Sequence, residues 1–250
     1  MEKGQIRQWV WDELTRRGQA AFPKPVHGRI PNFVGSAAAA ARLRELEVYR
    51  QARVVKVGPD SPLHPIRAMV LRDGKKLYMP TPRLTAGFVV LEGVEPGRER
   101  EATSLSNFRR FGREVRLEEI DPIDLVVAGT VAVSQSTGVR IGKGAGYGDM
   151  EFALLCRLGK LRPDTPVVTA VHDLQVVDAP DHPLGVALPW DPHDISVDYI
   201  VTPTRTIAVR RAHPQPTEID WSLLEPERLR ALQPLLEFRR MQGGKPDRPR

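Results

Sequence analysis

Between Gly138 and Leu155 the chain reads GVRIGKGAGYGDMEFALL, with glycine at Gly142, Gly144, Gly146 and Gly148. Glycine at every second position suits neither a helix nor a strand interior, so a loop is expected there. Upstream, Asp124 to Val133 (DLVVAGTVAV) is apolar and β-branched, the pattern of a buried strand. Downstream, Met150, Phe152, Ala153, Leu154 and Leu155 begin a helical segment. Strand, glycine loop and helix in that order let backbone N–H groups and a helix N-terminus face an anion. A lone glycine would mean only a tight turn. Four of them, with Arg140 and Lys143 beside them, favour a phosphate-binding loop, and Asp149 is placed to hold a divalent ion. The common fingerprints do not fit. A P-loop needs Ser or Thr after Gly-Lys, where Gly144 stands, and GxGxxG needs glycine in place of Tyr147.

The rest of the chain supplies an α/β pattern. Residues 3 to 18 predict a helix with an apolar stripe of Ile6, Trp9, Val10 and Leu14, and Lys3 and Arg7 share one face of it. The proline-rich stretch from Phe22 to Phe33 reads as an extended connection, and Ser36 as the N-cap of a helix reaching Leu46. Strands are expected at Arg53–Val57, Lys76–Met79, Ala86–Val94, Pro166–Val171, Tyr199–Val201 and Thr206–Arg210, the last hairpinned on its predecessor. Thr103–Phe111 is expected to be helical or irregular, and Trp221 to Met241 one C-terminal helix. Strands separated by helical segments imply crossovers, hence a mostly parallel sheet with helices on both faces. The expected division is a single α/β domain over 1–212, a linker and packed helix over 213–241, and a disordered basic tail over 242–250.

Charge narrows the partners without choosing one. The 250 residues carry a formal net charge of +6, which suits an anionic ligand. Part of that excess lies near the C-terminus, in Arg239, Arg240, Lys245, Arg248 and Arg250, and reads as a solvated face. Aromatic residues make up 6%, with no aromatic–basic interleaving of the kind an RNA-binding sheet shows. No apolar run approaches a membrane span, and the charged N-terminus lacks a signal-peptide core. The single cysteine, Cys156, excludes an intrachain disulfide and fits the cytoplasm; its apolar setting reads as a buried, inert thiol. The six histidines show no HxH, HExxH or Cys/His spacing, so a zinc site is not expected and local hydrogen bonds are. Asp191, His193 and Asp194 stay candidates because ligands gather near strand C-termini in open α/β sheets.

The segment RIGKGAGYGD (Arg140–Asp149) resembles the RxGxGGGxYD motif of 5-formyltetrahydrofolate cyclo-ligases, also called methenyltetrahydrofolate synthetases. LPWDPHDISVDYIVTP (Leu188–Pro203) is similar to that family's acidic, His-Asp and Asp-x-hydrophobic-hydrophobic-Thr segment, and Lys3, Arg7 and Gln175 match further positions. RQWVWDEL, FPKPVHGRIPNFVGSAAAAARL, VVKVGPDSP, LYMPTPRL and WSLLEPERL resemble the branch whose members contain a methenyltetrahydrofolate synthetase domain. Some animal members of that branch add an RNA-recognition domain, and none is visible here.

The resemblance implies a three-layer α/β sandwich with a mostly parallel, Rossmann-like sheet. It implies ATP- and Mg²⁺-dependent cyclisation of 5-formyltetrahydrofolate to 5,10-methenyltetrahydrofolate through a phosphorylated formyl group. Lys3, Arg7, Arg140, Gly142, Lys143, Gly144, Ala145, Gly146 and Tyr147 would then bind ATP, with Arg140 and Lys143 catalytic. Asp149 and Asp194 would serve the metal. A reduced folate is the implied partner; nucleic acid and membrane are not, and the sequence does not determine an oligomeric state.

Departures occur within the motif, where Tyr147 and Gly148 stand in place of two aromatics, and more seriously on the folate side. Met150 stands where a basic residue is usual after the motif's Asp. The stretch GPDSPLHP (Gly58–Pro65) lacks the family's substrate-contacting Glu, leaving Asp60 as its only carboxylate, and Ile30–Phe33 (IPNF) has no counterpart in the enzymes. Gln175, Asp60, Asn32 and Phe33 are thus the candidate substrate contacts. Two alternatives remain: a nucleotide-binding paralogue acting on a different heterocycle, and a non-catalytic nucleotide- or RNA-binding protein.

Overall fold

The computed structural model describes residues 1–243, and the remainder of the expected basic tail lies outside the described residues. The described residues form ten strands: β1 (Val54–Val57), β2 (Lys76–Pro80), β3 (Phe88–Leu91), β4 (Arg113–Val115), β5 (Leu125–Val127), β6 (Ala132–Val133), β7 (Arg140–Ile141), β8 (Val167–Ala170), β9 (Tyr199–Val201) and β10 (Thr206–Ala208). Eight of them make one sheet in the order β10-β9-β8-β5-β1-β2-β3-β4. The central run from β9 to β2 is parallel, and the flanking β10, β3 and β4 are antiparallel. Thr206 pairs with Val201 in the expected terminal hairpin.

Side-chain alternation divides the core between the sheet's faces. Val55, Val57, Leu77, Met79, Leu125 and Val127 face one cluster. It is covered by α2 (Ser36–Glu45), α3 (Glu47–Gln51) and α4 (His64–Arg72), with α5 (Glu99–Ala102) and α6 (Phe108–Phe111) at its edge. Tyr78, Val90, Val126 and Ile200 face the other. There α7 (Tyr147–Arg157), α8 (Pro226–Arg230) and α9 (Gln233–Met241) pack through Phe152, Leu155, Leu229, Leu235 and Phe238. The result is the three-layer α/β sandwich. The remaining helix, α1 (Lys3–Arg16), lies off the main sheet. Its Ile6, Val10 and Leu14 pack against Ala132 and Ile141 of the two-stranded β6–β7 sheet.

Three local expectations change. The run from Asp124 to Val133 is two strands rather than one, because the chain leaves the main sheet after Val127 and pairs Ala132 with Ile141. The cap of α2 is Gly35 in a left-handed conformation, and Ser36 is its first helical residue. The C-terminal helix is broken into a 3₁₀ turn at Trp221–Leu223, α8 and α9. Pro226 and Pro234 each sit in the first turn of their helices, where a missing N–H is tolerated, and neither can stand mid-helix. Among the described residues no helix is long and apolar enough to cross a membrane.

Candidate active site

The sheet grows outward in opposite directions from β1 and β5: β2, β3 and β4 lie beyond β1, and β8 and β9 beyond β5. The helix following β1 covers one face and the helix after the glycine loop covers the other. A crevice is left at the carboxyl ends of two strands whose connections diverge. It is a cleft partly open to solvent. Gly58, Pro59 and Asp60 after β1, Ala128 and Gly129 after β5, and loop residues from Gly142 to Asp149 line it.

The loop is held from its outer side. From α1, Arg7 Nε donates to the Gly142 carbonyl at 2.6 Å, and from α8, Arg228 donates to the Ala145 carbonyl. These bonds engage loop carbonyls. In contrast, no backbone N–H from Gly142 to Asp149 donates a hydrogen bond to any described residue. Gly146 caps α7 at φ +64°, a conformation that strains any residue with a Cβ. The N-terminus of α7 therefore opens on the cleft without a side-chain cap.

Arg140 lies beneath the loop, with Nη1 2.6 Å from the Gly129 carbonyl and Nη2 2.8 Å from Asp149 Oδ1. The same Asp149 oxygen accepts from the Ile195 N–H at 3.1 Å. Lys143 is more open and reaches Asp60 Oδ1 at 3.5 Å. Asp60 packs against bare backbone at Gly129, where a Cβ would come within 2.4 Å of its Oδ2. Arg67, buried in α4, donates to the Gly58 and Asp60 carbonyls and fixes that wall of the cleft. Burial pushes its pKa down to about 10, still far above neutrality.

Lys3 sits between Asp191 and Asp194. Burial works against its charge, but hydrogen bonds to both carboxylates outweigh that and hold its pKa above the ordinary value. Asp191, His193 and Asp194 bring ligand atoms within 4.8 Å of one another, yet the Lys3 ammonium already lies against both carboxylates. Local hydrogen bonds do account for other histidines, as expected: His172 Nδ1 accepts from Leu174 N–H and His182 Nδ1 from Leu184 N–H.

The structure thus brings Arg140, Gly142, Lys143, Ala145, Gly146, Tyr147, Asp149 and Asp60 into one cleft, while Gly144 lies against the Arg7 guanidinium. Lys3, Arg7 and Asp194 border the site from the side of α1 and Ile195. It does not bring in Gln175, Asn32 or Phe33. Gln175 is fully buried, its amide donating to the Thr130 and Val131 carbonyls and accepting from His172 N–H. Asn32 bonds the Phe22 carbonyl and the Phe33 N–H, and Phe33 is a core residue packed edge-on to His172. Of the IPNF segment only Ile30 reaches the cleft.

Sequence reasoning missed Lys56, Glu151, Arg83 and Arg228. The first two line the cleft as an ion pair with side chains each 5% exposed. A lysine within the strand VVKV and a glutamate within the apolar run MEFALL were the signals. Arg83 enters from the loop after β2, and nothing in its neighbourhood marks it.

Residues 1–203 match the model of the 5-formyltetrahydrofolate cyclo-ligase family. A mouse protein named methenyltetrahydrofolate synthase domain-containing protein is 44% identical over 98% of this chain and 66% of its own length. The human protein of that name is 40% identical over 98% of this chain and 64% of its own. The chain spans just under two-thirds of the length of these relatives. Among solved structures, the NMR structure of Aquifex aeolicus 5,10-methenyltetrahydrofolate synthetase matches with a TM-score of 0.49 and 21% identity, covering 85% of this chain and 95% of that one.

Proposed function

The chain belongs to the 5-formyltetrahydrofolate cyclo-ligase family, and from that premise we propose that it uses ATP to cyclise a formylated reduced folate to its methenyl form. The observation that carries this reading is the row of backbone N–H groups from Gly142 to Asp149, without protein acceptors and bordering a cleft that also contains Arg140 and Lys143. Such a cradle suits a triphosphate.

On this reading the formyl oxygen attacks the γ-phosphorus while the bond to the β–γ bridging oxygen breaks and ADP leaves. A nitrogen of the substrate then closes on the formyl carbon, phosphate departs and one proton is lost. No protein nucleophile is needed, so the residues act by positioning and by neutralising charge. Lys143 and the loop amides hold phosphate oxygens, and Arg140 adds its charge from beneath. Arg7 shapes the loop through the Gly142 carbonyl, and Lys3 orients Asp194. Magnesium fits Asp149, whose Oδ2 makes no hydrogen bond among the described residues, and one carboxylate suffices beside phosphate oxygens; the expected second ligand, Asp194, is already engaged by the Lys3 ammonium. When bound, the ion would neutralise charge developing on the phosphates.

A second reading, the same ATP chemistry on another heterocycle, is favoured by the cleft floor, which carries Lys56 and Glu151 and none of Asn32, Phe33 and Gln175. The test is appearance of the methenyl product's near-ultraviolet absorbance when 5-formyltetrahydrofolate is mixed with the protein. That absorbance should require both ATP and Mg²⁺. ATP binding without turnover of the formyl-folate would reject the first reading in favour of the second.

A further inference from the structure

The cleft has an anion-binding side and a floor of different character. Lys56 of β1 is in register with Tyr78 and Val126, so it projects to the face that α7 covers and meets Glu151 there. Each side chain is 5% exposed, and both line the cleft. The pair carries no net charge but is strongly dipolar. The Lys56 ammonium donates to Glu151 Oε2 and has two N–H groups to spare, and Oε1 has no hydrogen-bond partner among the described residues. Burial pushes the Glu151 carboxyl up and Lys56 opposes it.

A buried ion pair adds little stability over apolar residues of similar volume, so stability is a weak reason for placing one here. Its unused donors and acceptor are what a ligand can use. The same cleft is lined by Ile30, Pro59 and Ala128, which offer apolar surface. These suit a flat ring.

We infer that Lys56 and Glu151 recognise the ring system of the substrate, Glu151 Oε1 accepting from a ring N–H and Lys56 donating to the adjacent ring carbonyl. The ligand class is a neutral heterocycle with a lactam edge. This rests on the reading of the cleft as the place where ATP meets its acceptor. An anion belongs at the loop instead, because at the floor it would lie against the Glu151 carboxylate.

A pterin and a guanine share that edge, so the test uses two probes, 5-formyltetrahydrofolate and guanosine, with ATP as control. Binding to the full chain is measured by calorimetry for wild type, Lys56→Met/Glu151→Leu and Glu151→Gln. The double variant replaces the pair by apolar residues and should fold. Glu151→Gln keeps the shape and can turn an N–H toward the ring N–H. Both should weaken the heterocycle by about tenfold or more and leave ATP affinity unchanged. Loss of formyl-folate binding supports the inference and the folate reading together. Glu151-dependent binding of guanosine but not of formyl-folate supports the pair and removes the folate reading. Unchanged heterocycle binding in either folded variant overturns the inference, as does wild type binding neither probe. Turnover of formyl-folate by a folded double variant at the wild-type rate would overturn it while leaving the proposed function standing.

Discussion

Arg140 and Asp149 meet beneath the glycine loop at 2.8 Å, with side chains 4% and 13% exposed. The loop's flanks are thereby tied together: Arg140 opens the short strand before it and Asp149 lies in the first turn of the helix after it. Arg140 also holds the Gly129 carbonyl, so one guanidinium joins the loop after β5, β7 and α7.

That arrangement separates two cations that look alike in sequence. Arg140→Ala removes the partner of a partly buried carboxylate and a buried bond to the Gly129 carbonyl, and should cost about 1–3 kcal/mol of stability. Lys143 is 38% exposed and 3.5 Å from Asp60, so Lys143→Ala should cost under about 1 kcal/mol. Its effect should fall on ATP, with affinity weakened by about tenfold through loss of a charged contact. Thermal melts and calorimetric ATP titrations of the two variants check this, and equal destabilisation would show that the pairing has been misjudged.

Arg228 lies outside the 1–203 family match, yet it reaches the loop. It donates to the Ala145 carbonyl, and its guanidinium stands 5.3 Å from the centre of the Tyr147 ring. Arg228→Ala should loosen the middle of the loop and raise the ATP dissociation constant by about threefold to tenfold, the scale of one cation–π contact and one hydrogen bond. Arg228→Lys should recover only part of that, because an ammonium lacks the planar face. Titration of ATP against the three proteins decides it; a Lys variant as good as Arg would mean that charge alone is at work.

How much of this was legible follows from what each signal depends on. The glycine loop, α1 and the parallel strands are visible because local pattern dictates them: Gly142 to Gly148 exclude regular structure, and Ile6, Val10 and Leu14 make a stripe. Lys3 and Arg7 share a face by helical spacing alone, and both do reach the site. Gln175 and Phe33 could not be placed, since a glutamine bonding two carbonyls and one binding a ligand look the same in sequence. Lys56 and Glu151 are 95 positions apart, and only β1 and α7 packing face to face makes them a pair. Arg228 depends on the path of the C-terminal segment back across the loop, which a broken helix sets and the expected continuous one would not.

Cys156, on α7, is only partly buried where full burial was expected, and that burial still pushes its thiol up to about 11. At pH 8 almost none is thiolate, the reactive form. A disulfide reagent should therefore react much more slowly with the folded protein than with the chain in denaturant. Rapid modification before unfolding would contradict the burial.

Acid should destabilise the fold through its histidines. His182 is half-buried against Trp9, with Nε2 3.0 Å from the Leu174 carbonyl and Nδ1 accepting from Leu184 N–H at 3.1 Å. Its neutral Nε2–H form satisfies both bonds, and a proton on Nδ1 would break the second. His172 is bound in the same manner by Leu174 N–H. Burial lowers the pKa of both below 6.5, so the unfolded chain takes up protons first as pH falls. Their contribution is complete above the unfolded value and is lost as pH drops through the folded one. Calorimetry should thus give a lower melting temperature at pH 5.5 than at pH 7.5, by about 2–4 °C for each 1 kcal/mol lost in a chain of this size. His182→Asn can keep an acceptor for Leu184 N–H and does not titrate, so its melting temperature should fall less over the same interval. A wild-type melting temperature that holds or rises toward pH 5.5 would mean that these rings are not held neutral by the fold.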